Sequence, residues 1–245
     1  MTTTKVRIGT WNAEWAVPGG LRGERFRRAL ESPRCDVLCL TEGYVGLMPS
    51  GGHVLESNAD YGYTAKAGRR KVLLWSKQPW TDADSAGSKD LPGGRFASGV
   101  TETPVGSLTI VGVCIPWRDA HVRTGRRNRT HWEDHLAYLA AFEKLPYRNA
   151  TTRTVVLGDF NQRIPRKSTS KHVHSALLRA IEPLRIATQG EFPGAPALSI
   201  DHLAHTLDLE SVGMGIWPMR DEEDDPLSDH FGVWCDFYFR TLKDG

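Results

Sequence analysis

The chain has 245 residues, of which 40% are hydrophobic and 24% are charged, and its formal net charge is +2 at pH 7. This composition is close to the globular average, so it excludes an intrinsically disordered chain, a collagen-like repeat and a disulfide-dense secreted scaffold. The 31 basic and 29 acidic residues nearly balance, so a polyanionic partner must be inferred from local clusters of charge.

Short apolar runs bounded by Gly, Pro and Asp predict eight strands. In chain order these are Val6–Trp11, Val37–Thr41, Lys71–Ser76, Phe96–Glu102, Leu108–Ile115, Thr154–Leu157, Leu198–His202 and Phe231–Phe239. Helical periodicity predicts helices over Arg22–Leu30, Thr130–Leu145 and Ser170–Ile181, and Thr130 and Glu133 fit a capping box. Strands interspersed with helices indicate an α/β or α+β class, and the lack of a repeat or long linker favours one domain over residues 1–245.

The four cysteines predict buried, reduced thiols. Cys35, Cys39, Cys114 and Cys235 lie in apolar segments, and none forms a C-x-x-C motif. The N-terminal residues lack the apolar region of a signal peptide, and no run of eighteen apolar residues occurs. These features favour a cytoplasmic protein, unless a cleaved signal preceded the sequence, and they favour no membrane insertion.

Polar side chains with catalytic potential lie at the ends of the predicted strands. Strand ends in a packed α/β domain face loops and clefts, so residues from several strands can converge there without entering the core. The residues in these positions are Asn12, Glu14, Glu42, Asp159, Asn161, Asp201, His202, Asp229 and His230. Because side chains alternate along a strand, only one of Asp201 and His202 can face the cleft.

This set of residues suits metal-assisted hydrolysis of a phosphoester. Carboxylate and amide oxygens are hard ligands preferred by Mg²⁺ or Mn²⁺, and no Cys/His cluster has the spacing of a structural zinc site. In-line attack needs a cation on the phosphoryl oxygens, a carboxylate that positions water, and an imidazole oriented by a carboxylate. Glu42, Asp159 and the pair of Asp201 and His230 match these requirements.

Five short motifs occur in an order that resembles the endonuclease/exonuclease/phosphatase (DNase I-like) superfamily. They are Thr10-Trp11-Asn12, Leu40-Thr41-Glu42, Gly158-Asp159-Phe160-Asn161, Ile200-Asp201-His202 and Ser228-Asp229-His230. The resemblance implies an α/β four-layer sandwich of two mixed β-sheets flanked by helices, with a site for Mg²⁺ or Mn²⁺ at one edge. It also implies a metal-dependent phosphoester hydrolase.

The resemblance further implies a role for each motif residue. Glu42 corresponds to the main metal ligand, with Asn12, Glu14 and Asp229 beside it, and Asn12 also belongs to the catalytic set. Asp159 and Asn161 resemble the pair that orients the attacking water. His230 corresponds to the catalytic imidazole, held by Asp201, and its role as base or phosphate stabiliser stays open. A neutral base would lose activity as pH falls through its pKa.

One motif departs from the family pattern. The family commonly has a His or Tyr at the end of the strand before the long middle helix, but here the sequence reads Val113-Cys114-Ile115-Pro116-Trp117. Trp117, Arg118 or His121 is the expected substitute, unless the leaving oxygen is stabilised in another way.

An arginine-rich segment follows this strand and predicts a phosphate-binding rim. Arginine forks bind phosphate in a bidentate manner, and the alternative is an ordinary solvated loop. The predicted phosphate-binding residues are Trp117, Arg118, His121, Arg123, Arg126 and Arg127. Trp15 and Trp117 offer ring surfaces for stacked bases.

Three functions remain in competition. The first is a nuclease acting on DNA or RNA, favoured by the motifs together with the arginine segment. The second is a phosphatase or phosphodiesterase for a small-molecule, inositol or lipid phosphoester, and the third is a catalytically weak scaffold that binds phosphate. A zinc site at His131 and His135 is disfavoured, because H-W-E-D-H is not the H-E-x-x-H motif. The oligomeric state stays open.

Overall fold

The computed structural model describes residues 4–64, 66–149 and 153–239. In these ranges the strands are β1 Val6–Asn12, β2 Val37–Tyr44, β3 His53–Glu56, β4 Arg69–Ser76, β5 Trp80–Asp84, β6 Phe96–Thr103, β7 Gly106–Cys114, β8 Thr154–Asp159, β9 Arg185–Ile186, β10 Asp201–His205, β11 Leu209–Trp217 and β12 Gly232–Phe239. The α-helices are α1 Leu21–Glu31, α2 Glu133–Phe142 and α3 Lys171–Ile181, with short 3₁₀ helices at Val45–Leu47 and Pro146–Asn149.

The strands form two six-stranded sheets, in the orders β11-β12-β1-β2-β4-β3 and β5-β6-β7-β8-β10-β9. Each sheet has one parallel pair at its centre, β1 with β2 and β7 with β8, and the other neighbours are antiparallel. The two sheets are therefore mixed, as predicted. In both sheets the carboxyl ends of the central strands lie side by side, which creates an edge where loop residues from different strands meet.

Alternating side chains on the central strands separate the structure into layers. In β2, Cys39 faces the core between the sheets, whereas Leu38 and Leu40 pack with Phe26 of α1 on the outer face of the first sheet. On the second sheet, Val156 turns outward to pack with α2 and α3. The order is thus helix, sheet, sheet and helices, which confirms the predicted four-layer sandwich. None of the described helices is long and apolar enough to span a membrane.

The strand predicted at Leu198–His202 begins later in the structure, at Asp201. Ser199 Oγ donates to the carbonyl of Asp201 and accepts its N–H, so the chain turns immediately before the ladder starts. The prediction also missed β3, β5, β9 and β11. Of these, β11 carries glycine and polar residues along an edge, so it lacks the apolar run on which the prediction depended.

The predicted helix Thr130–Leu145 is shorter in the structure and begins at Glu133. Trp132 occupies the N-cap position with φ of 69°, a left-handed conformation that interrupts the helix. Half of the capping box forms, because the Glu133 carboxylate accepts the N–H of Thr130 at 2.8 Å. The four cysteines are buried and free, as predicted, and burial raises the pKa of Cys114 to about 12.

Candidate active site

The candidate active site lies where the ends of the central strands of both sheets meet. Asn12 ends β1 opposite Thr41 of β2, and Asp159 ends β8 opposite Cys114 of β7. Asp201, the first residue of antiparallel β10, is paired directly with Asp159. A hydrogen bond from Asn12 Nδ2 to Asp159 Oδ2, 3.3 Å long, joins the two sheets at this edge.

A cavity of about 300 Å³ opens here, and we call it the catalytic cavity. Its walls come from seven separate parts of the chain, so it exists only in the folded protein. It is lined by Asn12, Glu42, Lys71, Arg95, Trp117, Asp159, Asn161, Asp229 and His230. Most of the predicted catalytic and metal-binding residues are therefore brought to one place.

Asp159 is held rigidly by Asn161. The N–H of Asn161 donates to Asp159 Oδ1 at 2.8 Å, and its side-chain Nδ2 donates to Oδ2 at 2.9 Å and to the carbonyl of Ile115 at 2.8 Å. Asn161 has φ of 54°, a conformation that asparagine tolerates better than most residues. Burial raises the pKa of Asp159 to about 7, although His230 nearby opposes this shift. A carboxyl group with such a pKa suits proton transfer near neutral pH.

His230 and Asp201 form the predicted pair. His230 Nδ1 lies 2.6 Å from Asp201 Oδ2, and Asp201 is almost completely buried. The backbone at His230 is fixed by Trp11, whose Nε1 donates to its carbonyl at 2.8 Å. Burial alone would lower the pKa of His230, but Asp201, Asp159 and Asp229 raise it to about 10. This favours a protonated imidazole at neutral pH.

The remaining acidic residues provide a donor set for a hard cation. The carboxylates of Glu42 and Asp229 line the cavity with Asp159 and the amide of Asn12. Burial raises the pKa of Asp229, the charge of His230 opposes this shift, and repulsion by the Glu14 and Glu42 carboxylates adds to it. Oxygen donors in a mutually repelling cluster fit Mg²⁺ or Mn²⁺, whose charge would relieve that repulsion.

A second possible ligand group consists of Asp159, Asp201 and His230, which offer ligand atoms within 4.8 Å of one another. In this group His230 and Asp201 already satisfy each other through their hydrogen bond. The set of Glu42, Asp229 and Asn12 offers oxygen donors only, which Mg²⁺ and Mn²⁺ prefer to a set that contains an imidazole nitrogen.

Glu14, a predicted metal ligand, is not among the residues that line the catalytic cavity. Its side chain forms a salt bridge with Arg22 of α1 at 2.5 Å, and 43% of it is exposed. The Arg22 guanidinium also donates to the Glu14 carbonyl at 2.6 Å, so both ends of the residue are held by the helix. The structure thus leaves Glu14 beside the site rather than in it.

Two basic residues of the catalytic cavity were not among the predicted site residues. Lys71 of β4 forms a salt bridge with Glu42 of β2, between the ladder pairs Thr41–Val72 and Gly43–Arg70. Arg95, which directly precedes β6, is 3% exposed and donates from Nη1 to the carbonyl of Cys114 at 3.3 Å. No carboxylate partner of Arg95 occurs among the described residues. The useful signal was the position of each residue at a strand end, the same signal that identified the acidic residues.

The arginine-rich segment lies outside the catalytic cavity. Of the predicted phosphate-binding residues, only Trp117 lines it. Arg118, Arg123, Arg126 and Arg127 are exposed on the surface. His121 is largely buried, because its ring stacks on Tyr63 with centroids 4.3 Å apart and its Nδ1 accepts the N–H of Arg126 at 3.1 Å.

Other histidines hold the structure together. His202 turns away from Asp201, and its ring nitrogens lie 3.0 Å from the Gln162 carbonyl and 3.1 Å from Thr188 Oγ1. His135 is buried with its ring nitrogens against the Pro116 carbonyl at 2.7 Å and the Gln162 side chain at 2.7 Å. His131 lies 2.5 Å from Asp119. His131 and His135 therefore have separate hydrogen-bond partners in the structure.

The family model of the endonuclease/exonuclease/phosphatase family matches residues 9–230. The match contains every motif residue that converges on the catalytic cavity. The chain belongs to this family, whose chemistry is the hydrolysis of phosphoesters. A search of curated proteins finds no match.

Solved structures with the same fold are distant in sequence. An endonuclease/exonuclease/phosphatase from Beutenbergia cavernae has a TM-score of 0.65 at 17% identity, covering 96% of this chain and 72% of its own. An AP endonuclease from Archaeoglobus fulgidus has a TM-score of 0.65 at 15% identity, covering 96% and 100%. A 3′ phosphatase from Neisseria, bound to a product DNA hairpin, has a TM-score of 0.65 at 16% identity, covering 96% and 99%. These similarities establish the DNase I-like fold.

Proposed function

We propose that the protein is a nuclease, a Mg²⁺- or Mn²⁺-dependent phosphodiesterase that hydrolyses DNA or RNA by in-line attack of an activated water. The observation that carries this proposal is the convergence of Asp159, Asn161 and the His230–Asp201 pair with Glu42 on one cavity. This arrangement provides an acceptor for a water proton, a protonated imidazole and a carboxylate ligand for a metal.

The chain's own residues divide the chemistry between them. Asp159, oriented by Asn161, positions the attacking water and accepts its proton. The protonated His230, held by Asp201, donates a hydrogen bond to the phosphoryl oxygens. A divalent cation bound by Glu42, Asn12 and Asp229 would supply positive charge to the phosphate and leaving oxygen.

Arg95 supports an anionic substrate. A buried cation is costly unless an anion or several hydrogen bonds compensate it. Arg95 reaches the catalytic cavity without a carboxylate partner in the described part of the chain, and its guanidinium forks suit phosphate oxygens. It bonds to the carbonyl of Cys114, at the strand end that lacks the family's His or Tyr. Arg95 is therefore our candidate for the missing phosphate-stabilising group.

Nucleic acid is favoured as the substrate by basic residues outside the cavity. Arg123, Arg126 and Arg127 are exposed on the loop that continues from Trp117, so they provide positive charge for a polymer that extends beyond one phosphate. Two of the structural neighbours are an AP endonuclease and a 3′ phosphatase bound to DNA.

We further propose that residues 1–245 form a single catalytic domain and that the protein acts in the cytoplasm.

A substrate panel tests the proposal. Purified protein is incubated with single-stranded DNA, duplex DNA, RNA and an inositol phosphate, each with Mg²⁺, with Mn²⁺ and with EDTA. We expect cleavage of nucleic acid with a cation and none with EDTA. Hydrolysis of the inositol phosphate alone would favour the small-molecule alternative. Binding without turnover of any substrate would favour the scaffold.

The metal site has a test that does not depend on activity. A cation at 100 times its Kd stabilises the folded state by about 2.7 kcal/mol, or a Tm rise of roughly 5–10 °C. We expect this rise for the wild type and its loss in Glu42→Gln. The matched control is Glu102→Gln on the exposed side of β6, which should keep the full rise. Equal rises in both variants would remove Glu42 from the ligand set.

A further inference from the structure

A second cavity, of about 330 Å³, adjoins the catalytic cavity, and we call it the aromatic cavity. It is lined by Trp15, Tyr61, Tyr63, Thr64, Arg69, Lys71, Trp117 and Thr124. Lys71 and Trp117 line both cavities. A molecule whose phosphate lies in the catalytic cavity is therefore beside this second space.

Trp117 is the unusual feature of this cavity. Its side chain is 46% exposed, whereas the other seven tryptophans are buried or half-buried. No ring of the described residues stacks on it. By contrast, Trp15 stacks on Tyr61, with centroids 5.7 Å apart and planes inclined by 25°. An exposed indole at the junction of two cavities is a free surface for a planar ring.

The aromatic cavity also carries positive charge. The Arg69 guanidinium carbon lies 4.6 Å from the centre of the Trp15 ring, and Lys71 Nζ lies 5.2 Å from it. Arg69 donates from Nε to Tyr44 Oη at 2.8 Å, which holds the cation on the ring. A wall of rings and cations suits a ligand that is both aromatic and phosphorylated.

The walls are held in place before any ligand binds. The N–H of His121 donates to Tyr63 Oη at 3.1 Å, and the two rings stack. A Cβ atom at Gly125 would lie 2.4 Å from His121 Nδ1, so this loop residue fits closely against the histidine. The segment that carries Trp117 is thus tied to the turn that carries Tyr63. A preformed site loses less conformational entropy on binding.

We propose that the aromatic cavity binds one unpaired nucleobase of the nucleotide next to the scissile phosphodiester, with the base stacked on Trp117. This inference rests on the proposed nuclease function. The volume lies at the lower end of the range of roughly 300–1,000 Å³ for small-ligand pockets, so it suits one ring system. A base within a duplex must leave its stack to enter, so the enzyme should prefer single-stranded or unpaired substrate.

The test compares Trp117→Ala with Trp117→Phe, which keeps a ring. The control is Met214→Ala on edge strand β11. Met214 is 48% exposed, as Trp117 nearly is, but it lines neither the catalytic cavity nor the aromatic cavity. The substrates are a single-stranded oligonucleotide and two versions with an abasic tetrahydrofuran residue on either side of the cleaved phosphate. We expect kcat/KM for the normal oligonucleotide to fall roughly five- to 100-fold in Trp117→Ala, mainly through KM.

Trp117→Phe should recover most of the lost kcat/KM for the normal oligonucleotide, and Met214→Ala should have the kcat/KM of the wild type. One of the two abasic substrates lacks the base that the aromatic cavity would bind. On that substrate the wild type and Trp117→Ala should have equal kcat/KM. An unchanged kcat/KM in Trp117→Ala, or an equal loss on both abasic substrates, would overturn the proposal.

A binding measurement in EDTA separates this inference from the nuclease proposal. Fluorescence anisotropy of a labelled single-stranded oligonucleotide gives Kd without turnover. If the wild type cleaves no nucleic acid, the nuclease proposal fails. If Trp117→Ala binds the oligonucleotide more weakly than the wild type and the control do, the base site is still supported. Equal Kd values for all the proteins, or no binding by any of them, would overturn it.

Discussion

The catalytic cavity and the aromatic cavity share two wall residues but are built differently. The catalytic cavity is formed at strand ends, where ladder register pairs Asp201 with Asp159 and a salt bridge joins Lys71 of β4 to Glu42 of β2. The aromatic cavity draws on loops, such as those of Trp15 and Tyr63, which are held by ring stacking. Sheet register fixes geometry tightly, which suits chemistry, whereas loops supply ring surfaces that vary more easily. We therefore expect substitutions in the catalytic cavity to lower kcat and those in the aromatic cavity to raise KM.

The largest expected effect is that of Asp159→Asn. Loss of the proton acceptor should lower kcat about 100- to 10,000-fold, while Kd for a single-stranded oligonucleotide changes little. The control is Asp82→Asn on β5, an exposed carboxylate whose φ of 48° asparagine also tolerates. Steady-state kinetics and anisotropy provide the two readouts. A loss of binding equal to the loss of kcat would contradict the division between the cavities.

The second effect concerns Arg95. Arg95→Ala should lower kcat/KM roughly 10- to 100-fold, and Arg95→Lys should recover part of it, because lysine keeps the charge but not the fork. Arg95 has no carboxylate partner in the described ranges, so its removal orphans no anion and Tm should change by only a few degrees. Exposed Arg28 of α1 is the matched control for alanine replacement. A large fall in Tm with normal kinetics would indicate a structural role.

The third effect is a change in the titration of His230. In metal-free wild type its pKa is raised from 6.5 to about 10, so its NMR signals should not titrate between pH 5 and 8. The folded-state pKa is the higher one, so the stability from the ion pair is fully present below about pH 6.5. It is lost as pH rises through about 10. Asp201→Asn removes the carboxylate that raises the pKa of His230 most, so the imidazole of this variant should titrate at a lower pH than in the wild type.

For the same reason, wild-type activity should not fall as pH decreases from 8 to 7 through titration of His230. A wild-type His230 that titrates near pH 6.5 would restore the role of a neutral base. The matched variant is Asp229→Asn, which should lower this pKa less, because Asp229 is the last of the three carboxylates that raise it.

The smallest effect is expected for the exposed arginines. Replacing Arg123, Arg126 and Arg127 by Gln should raise KM for an oligonucleotide a few-fold at low salt, without changing kcat. The slope of log K against log salt should decrease by about 1 for each arginine that contacts a phosphate. The control is the triple replacement of Arg28, Arg179 and Arg185, which are exposed elsewhere. An unchanged slope in both variants would make the segment an ordinary solvated loop.

Local pattern explains why the central features were predictable. The strand before Asp159 is a continuous apolar run, and Gly158-Asp159-Phe160-Asn161 forms a compact turn whose bonds lie within three residues. The α1 and α3 boundaries agree with prediction to within one residue. By contrast, the start of α2 depends on the left-handed Trp132, and that conformation is set by the fold around it.

Local patterns in the sequence were enough to predict alternating strands and helices, and the strand ends that carry carboxylate, amide and imidazole groups. The four-layer sandwich followed from the resemblance of the five motifs to a known family. Which of these groups meet depends on how the strands and loops pack together. The tertiary structure brought Lys71 and Arg95 into the catalytic cavity, held Glu14 beside it on Arg22, and placed Trp117 between two cavities. These outcomes depend on strand register and on packing between residues far apart in the chain, and no local pattern encodes them.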